Sequence, residues 1–172
     1  MEITLEQLLA ARDARASYIK TLQTRFPRAC ICVFTVVSPG SVKRTQETIR
    51  LFGAGISAIS RMLARNELIP LLFEAHEKDT GDEMYLAVKT EPGFLKLELS
   101  KLEESVPYGR LWDMDVFRPR GAALSREEIG FDERSCFVCG KRGRACYSRM
   151  LHTPEEVRAA YDKLVSTLPE DK

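Results

Sequence analysis

The sequence lacks the features that mark several specialised classes of protein. Its 172 residues carry 26 Lys and Arg against 25 Asp and Glu, a formal net charge of +1, so no overall field favours nucleic acid or a membrane surface. No apolar run is long enough to cross a bilayer. The opening residues, MEITLEQLLA, do not have the layout of a signal peptide. We therefore expect a cytoplasmic protein without a membrane partner, in which any basic patch is local.

Cysteine is too scarce, and too unevenly placed, for a disulfide scaffold. There are five cysteines, and three of them lie in one cluster, whereas small disulfide-stabilised domains use even, distributed sets. We expect reduced thiols. The apolar share of 44% and the charged share of 30% are ordinary for a globular protein with a real core. The length predicts a single domain, residues 1–172.

Hydrophobic periodicity predicts an α+β fold. Helical spacing is seen at Thr4 to about Phe26, at Thr45–Arg65, at 92–105, and in a C-terminal helix at 154–168. Segment 92–105 also fits a strand, but Pro92 suits a first helical turn. Strands are predicted in ACICVFTVV, in LIPLLFEAHEK and EMYLAVKT around a DTGD turn, and in GRLWDMDVF. The expected architecture is a mixed or antiparallel sheet packed by about three to four helices, plus a Cys/His-rich loop.

Two arginines interrupt the apolar stripe of the first predicted helix. Arg12 and Arg15 occupy positions that share a face with leucine, isoleucine and phenylalanine residues. One interpretation is that they extend from the helix edge, or pair with an acid such as Asp13 or Glu6. The other is that they point into an anion site, because polar residues at core positions often mark function. The pattern alone leaves both interpretations open.

Two aspartates lie two residues apart within the apolar run GRLWDMDVF (109–117). On a strand, Asp113 and Asp115 share one face, and the other face is formed by Trp112, Met114 and Val116. Paired carboxylates suit a hard divalent cation such as Mg²⁺, which commonly holds a triphosphate for in-line displacement. The alternatives are an exposed strand face, or a structural salt bridge with Arg110, which stands just before the pair.

A Cys/His-rich segment covers residues 134–152. Cys136, Cys139, Cys146 and His152 follow the spacing C-x2-C-x6-C-x5-H, and four such ligands in one short segment are typical of a structural zinc site. The alternative is that some of these thiols are ordinary small hydrophobic residues.

Basic residues are dense in the same segment and also follow a turn near the middle of the chain. The segment contains Arg134, Lys141, Arg142, Arg144 and Arg149. They form either a solvated loop or a surface for an anion or an acidic partner. Elsewhere, SPGSVK places free backbone N–H groups ahead of Lys43. It lacks the spacing of a P-loop, but it could hold one phosphate.

Four blocks in one order resemble the apo-citrate lyase phosphoribosyl-dephospho-CoA transferase family. They are LLAARDARA (8–16), FTVVSPGSVK (34–43), GRLWDMDVF (109–117), and the block that contains Cys136, Cys139, Ala145, Cys146, Arg149 and His152. One departure is visible. The family favours histidine before the proline of the GRLWD block, where this chain has Val106, so any role of that histidine as a base is vacant here.

The resemblance implies a nucleotidyltransferase. The donor would be 2'-(5''-triphosphoribosyl)-3'-dephospho-CoA, the acceptor a serine of the apo citrate lyase acyl carrier protein, and diphosphate the leaving group. For such chemistry we expect Asp113 and Asp115 to bind Mg²⁺ or Mn²⁺, with Arg110 beside them in the catalytic set. We expect phosphate contacts from Arg12, Arg15, Lys43 and Arg134. The basic loop 141–149 would bind the carrier protein.

Three alternatives stay open at this stage. A non-enzymatic zinc-knuckle module could bind nucleic acid or an acidic protein through the basic loop, although nucleic acid is not the expected partner because the aromatic spacing of a stacking platform is missing. The Cys/His block could be structural and free of metal. The acceptor could also be the carrier of malonate decarboxylase, which receives the same prosthetic group.

Overall fold

The computed structural model of the chain describes residues 1–169, apart from the side chain of Tyr147. The last three residues of the predicted domain 1–172 lie outside this range. The strands are β1 (Cys30–Val36), β2 (Pro70–His76), β3 (Glu83–Val88) and β4 (Trp112–Phe117). They form one sheet in the order β2-β3-β1-β4, and every neighbouring pair is antiparallel. The predicted α+β class with an antiparallel sheet is confirmed.

Within the described residues, five α-helices accompany the sheet. They are α1 (Leu5–Arg25), α2 (Gln46–Arg65), α3 (Pro92–Ser105), α4 (Gly143–Ser148) and α5 (Pro154–Val165), with short 3₁₀ helices at Pro107–Leu111 and Glu127–Ile129. Capping boxes begin α1, α2 and α5; the sequence indicates those of α1 (Thr4 with Gln7) and α5 (Thr153 with Glu156) but not that of α2. The ambiguous segment 92–105 is helical, with Pro92 in the first turn and the Glu91 side chain as its N-terminal cap.

Two details differ from the predicted helices. The short helix α4 lies inside the Cys/His-rich segment, where a loop was expected. Helix α5 ends at Val165, three residues before the predicted end. The amide groups of Thr167 and Leu168 there donate to carbonyl groups only three residues back, which is the tighter turn common at helix ends. Pro169 then follows, and proline has no N–H with which to continue a helix.

Alternation along the strands gives the sheet two different faces. One face is covered by α2 and α3 and forms the larger hydrophobic core, to which β4 contributes Trp112, Met114 and Val116. The other face is covered by α1, whose buried Ile19 and Leu22 pack on Ile31, Val33, Tyr85 and Ala87. Aspartates 113 and 115 point to this second face.

Only the C-terminal half of α1 is packed on the sheet. Its 21 residues span about 31 Å, longer than a seven-residue strand of about 23 Å. Leu5 and Leu9 are accordingly exposed. The N-terminal end is held by the Ile3 amide, which donates to the Ser41 carbonyl at 2.9 Å. The free half of α1 therefore lies near the end of β1, at the level of the aspartates.

Candidate active site

The two aspartates lie side by side on strand β4. Asp113 pairs across the sheet with Thr35, and Asp115 pairs with Val33. The burial of the strand alternates strictly, and both aspartates are on the exposed positions. Because Met114 between them is buried in the core, neither carboxylate can turn to the opposite face. The predicted arrangement of two carboxylates on one strand face is therefore present.

Strand β4 is an edge strand whose outer polar groups are bound by side chains of α3. The Met114 amide donates to Glu103 Oε1 at 2.9 Å, and Lys96 Nζ donates to the Met114 carbonyl at 2.8 Å. Both side chains belong to buried residues. An unpaired edge normally needs such partners. Here the partners fix the backbone at the residue between the two aspartates.

Arg134 is the cation nearest to the aspartates. Its Nη1 lies 3.7 Å from Asp113 Oδ1, and its Nη2 lies 2.5 Å from Glu103 Oε1 and also donates to the Trp112 carbonyl. The alternative of a structural salt bridge between Arg110 and the aspartates is not seen among the described residues. Arg110 instead donates to the carbonyl of Ser135, which ties the turn before β4 to the Cys/His-rich segment.

Electrostatics at Asp113 favour a bound cation. Burial of the carboxyl group by surrounding chain raises its pKa above the ordinary value, and the charge of Asp115 raises it further, while Arg134 opposes both. Half of the side-chain surface nevertheless stays accessible. Two neighbouring carboxylates that repel each other, with only a long contact to one arginine, are suited to a hard cation.

Arg15 of α1 lies on the same sheet face as the aspartates. Its Nε and Nη2 both lie 2.9 Å from Oε1 of Glu83, which is fully buried. Neither Asp13 nor Glu6 is its partner. Glu83 also accepts from Lys78 at 2.5 Å and from the Tyr85 hydroxyl. Burial would raise the pKa of Glu83, but these donors together hold it below the ordinary value.

The pairing with Glu83 leaves one side of the Arg15 guanidinium open. No acceptor in the described part of the chain binds its Nη1 group, and the side chain is 30% exposed. Arg12, one turn earlier on α1, is exposed and has no ion pair with any described residue. Both arginines are thus available to an anion above this end of the sheet.

Lys43 is turned back onto its own loop. Its Nζ donates to the Ser38 carbonyl at 2.7 Å, and partial burial lowers its pKa. The loop follows β1 and turns through Gly40, whose φ of +86° suits glycine. Ile3, just before the start of α1, is bound to the same loop. Lys43 therefore lies at the end of the sheet that carries Thr35 and Asp113.

The four predicted metal ligands of the Cys/His-rich segment come together. The ligand atoms of Cys136, Cys139, Cys146 and His152 all lie within 4.8 Å of one another. Cys136 Sγ is 3.4 Å from His152 Nε2, and Cys139 Sγ is 3.5 Å from Cys146 Sγ. Ligands about 2.3 Å from a tetrahedral zinc ion stand about 3.8 Å apart. The observed separations therefore fit a zinc ion.

Local backbone geometry explains why the segment folds this way. The Cys136 amide donates to the Lys141 carbonyl at 2.6 Å, and the Gly140 amide donates to the Cys136 carbonyl at 2.8 Å. Gly140 has a φ of +74°, so the tight turn after Cys139 needs glycine. The pKa of Cys139 is lowered to about 7, and the largest cause is the hydrogen bond from the Lys141 backbone amide. The turn thus favours a thiolate, the form that binds metal.

Three supporting residues were missed by sequence reasoning: Lys96, Glu103 and Glu83. Lys96 and Glu103 are seven residues apart, which is two turns of α3, and both lie beside its apolar stripe. Charged residues recurring at helical spacing next to leucines were the available signal. Glu83 begins a strand whose every residue is buried, but no sequence pattern indicated its partner Arg15.

The chain was compared with protein families and curated proteins. Residues 3–168 match the family described as apo-citrate lyase phosphoribosyl-dephospho-CoA transferase. The chain belongs to this family. The resemblance seen in the four sequence blocks is thereby confirmed over nearly the whole chain.

Relatives of the transferase family include two enzymes of that name and a longer protein. The apo-citrate lyase phosphoribosyl-dephospho-CoA transferase of Escherichia coli O139:H28 is 33% identical over 150 residues, covering 87% of this chain and 81% of the relative. The enzyme of Shigella boydii serotype 18 is 32% identical with the same coverage. Protein CitXG of Haemophilus influenzae is 30% identical over 156 residues, 91% of this chain, but the chain spans only 33% of its length.

Among the helices of the described chain, none combines the length and the apolar character that crossing a bilayer requires.

Proposed function

We propose that this protein transfers a phosphoribosyl-dephospho-CoA group to a serine of the apo citrate lyase acyl carrier protein. The donor is 2'-(5''-triphosphoribosyl)-3'-dephospho-CoA, and the enzyme is a nucleotidyltransferase that works in the cytoplasm. Membership of the transferase family and the names of the relatives support this class of activity. The observation that carries the detailed proposal is the pair Asp113 and Asp115, fixed on one face of β4 beside Arg134.

Asp113 and Asp115 would hold a Mg²⁺ or Mn²⁺ ion. Their carboxylates share one strand face and repel each other, and among the described residues their ion pair is the long contact of 3.7 Å between Asp113 and Arg134. The oxygen ligands match these hard ions. When bound, the ion would neutralise phosphate oxygens and stabilise the leaving diphosphate. One of the two aspartates would also orient the serine hydroxyl.

Cations on the same side of the molecule would bind the triphosphate. Arg15 is held by Glu83 with its Nη1 group open, and Arg12 is exposed one turn away. Lys43 stands on the loop bound to the start of α1, and Arg134 contacts Asp113. Preorganised cations of this kind stabilise the charge that develops during phosphoryl transfer. Arg110 would act at the edge of this group.

The proposed reaction is a single displacement at the α-phosphate. The serine oxygen forms a bond to the α-phosphorus, and the bond between that phosphorus and the bridging oxygen to the β-phosphate breaks. The serine proton leaves to an aspartate or to solvent, and diphosphate departs with the bonding electrons. The product is a phosphodiester between the carrier and the prosthetic group.

The Cys/His-rich segment would hold a structural zinc ion through Cys136, Cys139, Cys146 and His152. Zinc there would fold the segment and so place Arg134 and the Ser135 carbonyl, which contact the residues around β4. Four protein ligands would fill the tetrahedral coordination of zinc, so the site suits a structural ion rather than a catalytic one.

The basic loop 141–149 would bind the carrier protein. Arg142, Arg144 and Arg149 are exposed, and carrier proteins tend to be acidic, so opposite charges would steer the encounter. The alternative of a zinc-knuckle module that binds nucleic acid gives no role to the paired aspartates or to the buried side chains that fix them. The transferase accounts for both.

The mass of the carrier protein tests this proposal. The protein is incubated with Mg²⁺, the triphosphoribosyl donor and apo citrate lyase carrier, and the carrier is weighed by intact-protein mass spectrometry. We expect a gain of one phosphoribosyl-dephospho-CoA group, abolished by EDTA. If this carrier stays unmodified although the protein is folded and the donor is intact, the proposed acceptor is refuted. The malonate decarboxylase carrier would then be tested. A carrier whose serine is replaced by alanine is the matched control.

A further inference from the structure

Glu103 is a buried carboxylate that binds both the backbone between the aspartates and the arginine beside them. Its side chain is 2% exposed. Oε1 accepts from the Met114 amide at 2.9 Å and lies 2.5 Å from Arg134 Nη2, while Oε2 accepts from Arg126 at 2.8 Å. A buried carboxylate persists only when it is paired and hydrogen-bonded. This one has three partners, of which Met114 belongs to β4 and Arg134 also donates to the Trp112 carbonyl of that strand.

The two arginines on Glu103 differ in what else they can bind. Arg126 has a second carboxylate, since its Nη1 contacts Glu104 Oε1 at 2.7 Å. The second carboxylate near Arg134 is Asp113, whose Oδ1 lies 3.7 Å from Nη1 of Arg134. Glu103 is thus much closer to Arg134 than Asp113 is. The guanidinium is shared unequally between a buried carboxylate and a candidate metal ligand.

We propose that Glu103 is a positioning residue that holds Arg134 away from Asp113 and so keeps that carboxylate available to a divalent cation. The inference rests on the proposed function, in which Asp113 binds the ion. Without the negative charge of Glu103, the nearest carboxylate to Arg134 is Asp113. A tighter pair there would compete with the metal ion for the same oxygen atoms.

The substitution Glu103→Gln separates this role from support of the fold. The amide has the same shape, and its oxygen can still accept from the Met114 amide, so β4 keeps its edge partner. Binding of Mn²⁺ to the protein alone is measured by electron paramagnetic resonance, without donor or carrier. We expect the dissociation constant to rise about tenfold, the size seen when residues supporting metal ligands are changed. Glu104→Gln, which removes only the outer partner of Arg126, should leave it unchanged.

A double substitution gives a result that a purely structural role of Glu103 would not produce. If Arg134 moves onto Asp113 in Glu103→Gln, then adding Arg134→Met should restore Mn²⁺ binding to at least the wild-type level. Arg134→Met alone should bind Mn²⁺ more tightly than wild type, and this variant keeps the test valid should Glu103→Gln fail to fold. Circular dichroism and thermal unfolding verify the fold of each variant.

The outcomes separate this inference from the function on which it rests. If wild-type protein binds no Mn²⁺, or if its Mn²⁺ binding is unaffected by Asp113→Asn, the metal role and this inference are overturned together. Normal wild-type binding with an unchanged dissociation constant in folded Glu103→Gln would overturn the inference alone. The inference would also be overturned if Arg134→Met binds Mn²⁺ no more tightly than wild type, or fails to restore binding in the double variant.

Discussion

The two candidate metal sites differ in what holds their ligands in place. Asp113 and Asp115 stand on the edge strand β4, and the backbone between them is bound by the buried side chains of Glu103 and Lys96. The Cys/His ligands stand on turns and on the short helix α4. Among the described side chains of that segment, the one buried hydrophobic side chain is the ligand Cys146 itself.

This difference predicts different consequences of losing an ion. The aspartates keep their arrangement without metal, because packing and hydrogen bonds of the sheet fix them. The Cys/His-rich segment has little core of its own, and structural zinc sites supply folding free energy directly. Removing the ion should therefore affect chemistry at the first site and local folding at the second.

The largest effect is expected from the aspartates. Asp113→Asn or Asp115→Asn should lower carrier modification about 1000-fold, equivalent to about 4 kcal/mol in the barrier, because the amide binds Mg²⁺ poorly and cannot neutralise the phosphates. The initial rate is measured by mass spectrometry of the carrier. Asp162→Asn is the matched control, since Asp162 lies on α5 and pairs with Arg158. Near wild-type rates in the strand variants would refute the metal role.

The Cys/His site should respond to loss of zinc mainly through folding. Purified protein is expected to contain one zinc ion, and Cys139→Ser or His152→Ala should lose it and lower turnover about 10- to 100-fold by displacing Arg134 and Ser135. Zinc is measured by elemental mass spectrometry, and folding by hydrogen exchange of residues 134–152. Cys32→Ala, which changes a buried thiol of the sheet, should keep the zinc. A metal-free wild type with an ordered segment would favour the purely structural alternative.

Reversing charge on the outside of that segment should have a smaller effect. Arg142→Glu with Arg149→Glu should raise the KM for the carrier about tenfold with kcat preserved, because the two positions would steer an acidic partner without contacting the reacting atoms. The effect should shrink with added salt. Lys20→Glu, an exposed charge on α1, is the matched control. An unchanged KM would remove the basic loop from the carrier interface.

The two sites were visible in the sequence for different reasons. Strict alternation around Asp113 and Asp115 indicated a shared strand face, and the ligand spacing at Cys136 to His152 indicated a cluster. Both signals are local in sequence, and both arrangements are present. The helices other than α4 and the hairpin were likewise predictable, because their apolar periods and turn signals lie within single segments.

The supporting contacts were not predictable because they join residues distant in sequence. Arg15 binds Glu83 and not a neighbour on its own helix, a separation of 68 residues. Arg134 and not Arg110 approaches Asp113, although Arg110 is closer in the chain. Side chains that bind an edge strand depend on which strand is at the edge, and only the sheet order decides that. Sequence proximity is therefore a poor guide to the partner of a buried charge.

The smallest expected effect is that of Asp113→Asn on the free energy of unfolding, which should rise although activity is lost. The pKa of Asp113 is raised in the folded protein by burial and by Asp115, so the folded state binds this proton more tightly than the unfolded chain does. Above that pKa, the ionised carboxyl costs stability, and the cost disappears as the pH falls through it. Asp113→Asn should therefore slightly increase the free energy of unfolding at pH 7, by about 0.5 kcal/mol or less for a half-exposed position. Urea denaturation of metal-free protein measures the gain, which should shrink as the pH is lowered and wild-type Asp113 becomes protonated. A variant less stable than wild type at pH 7 would show that the contact with Arg134 outweighs the repulsion between the aspartates.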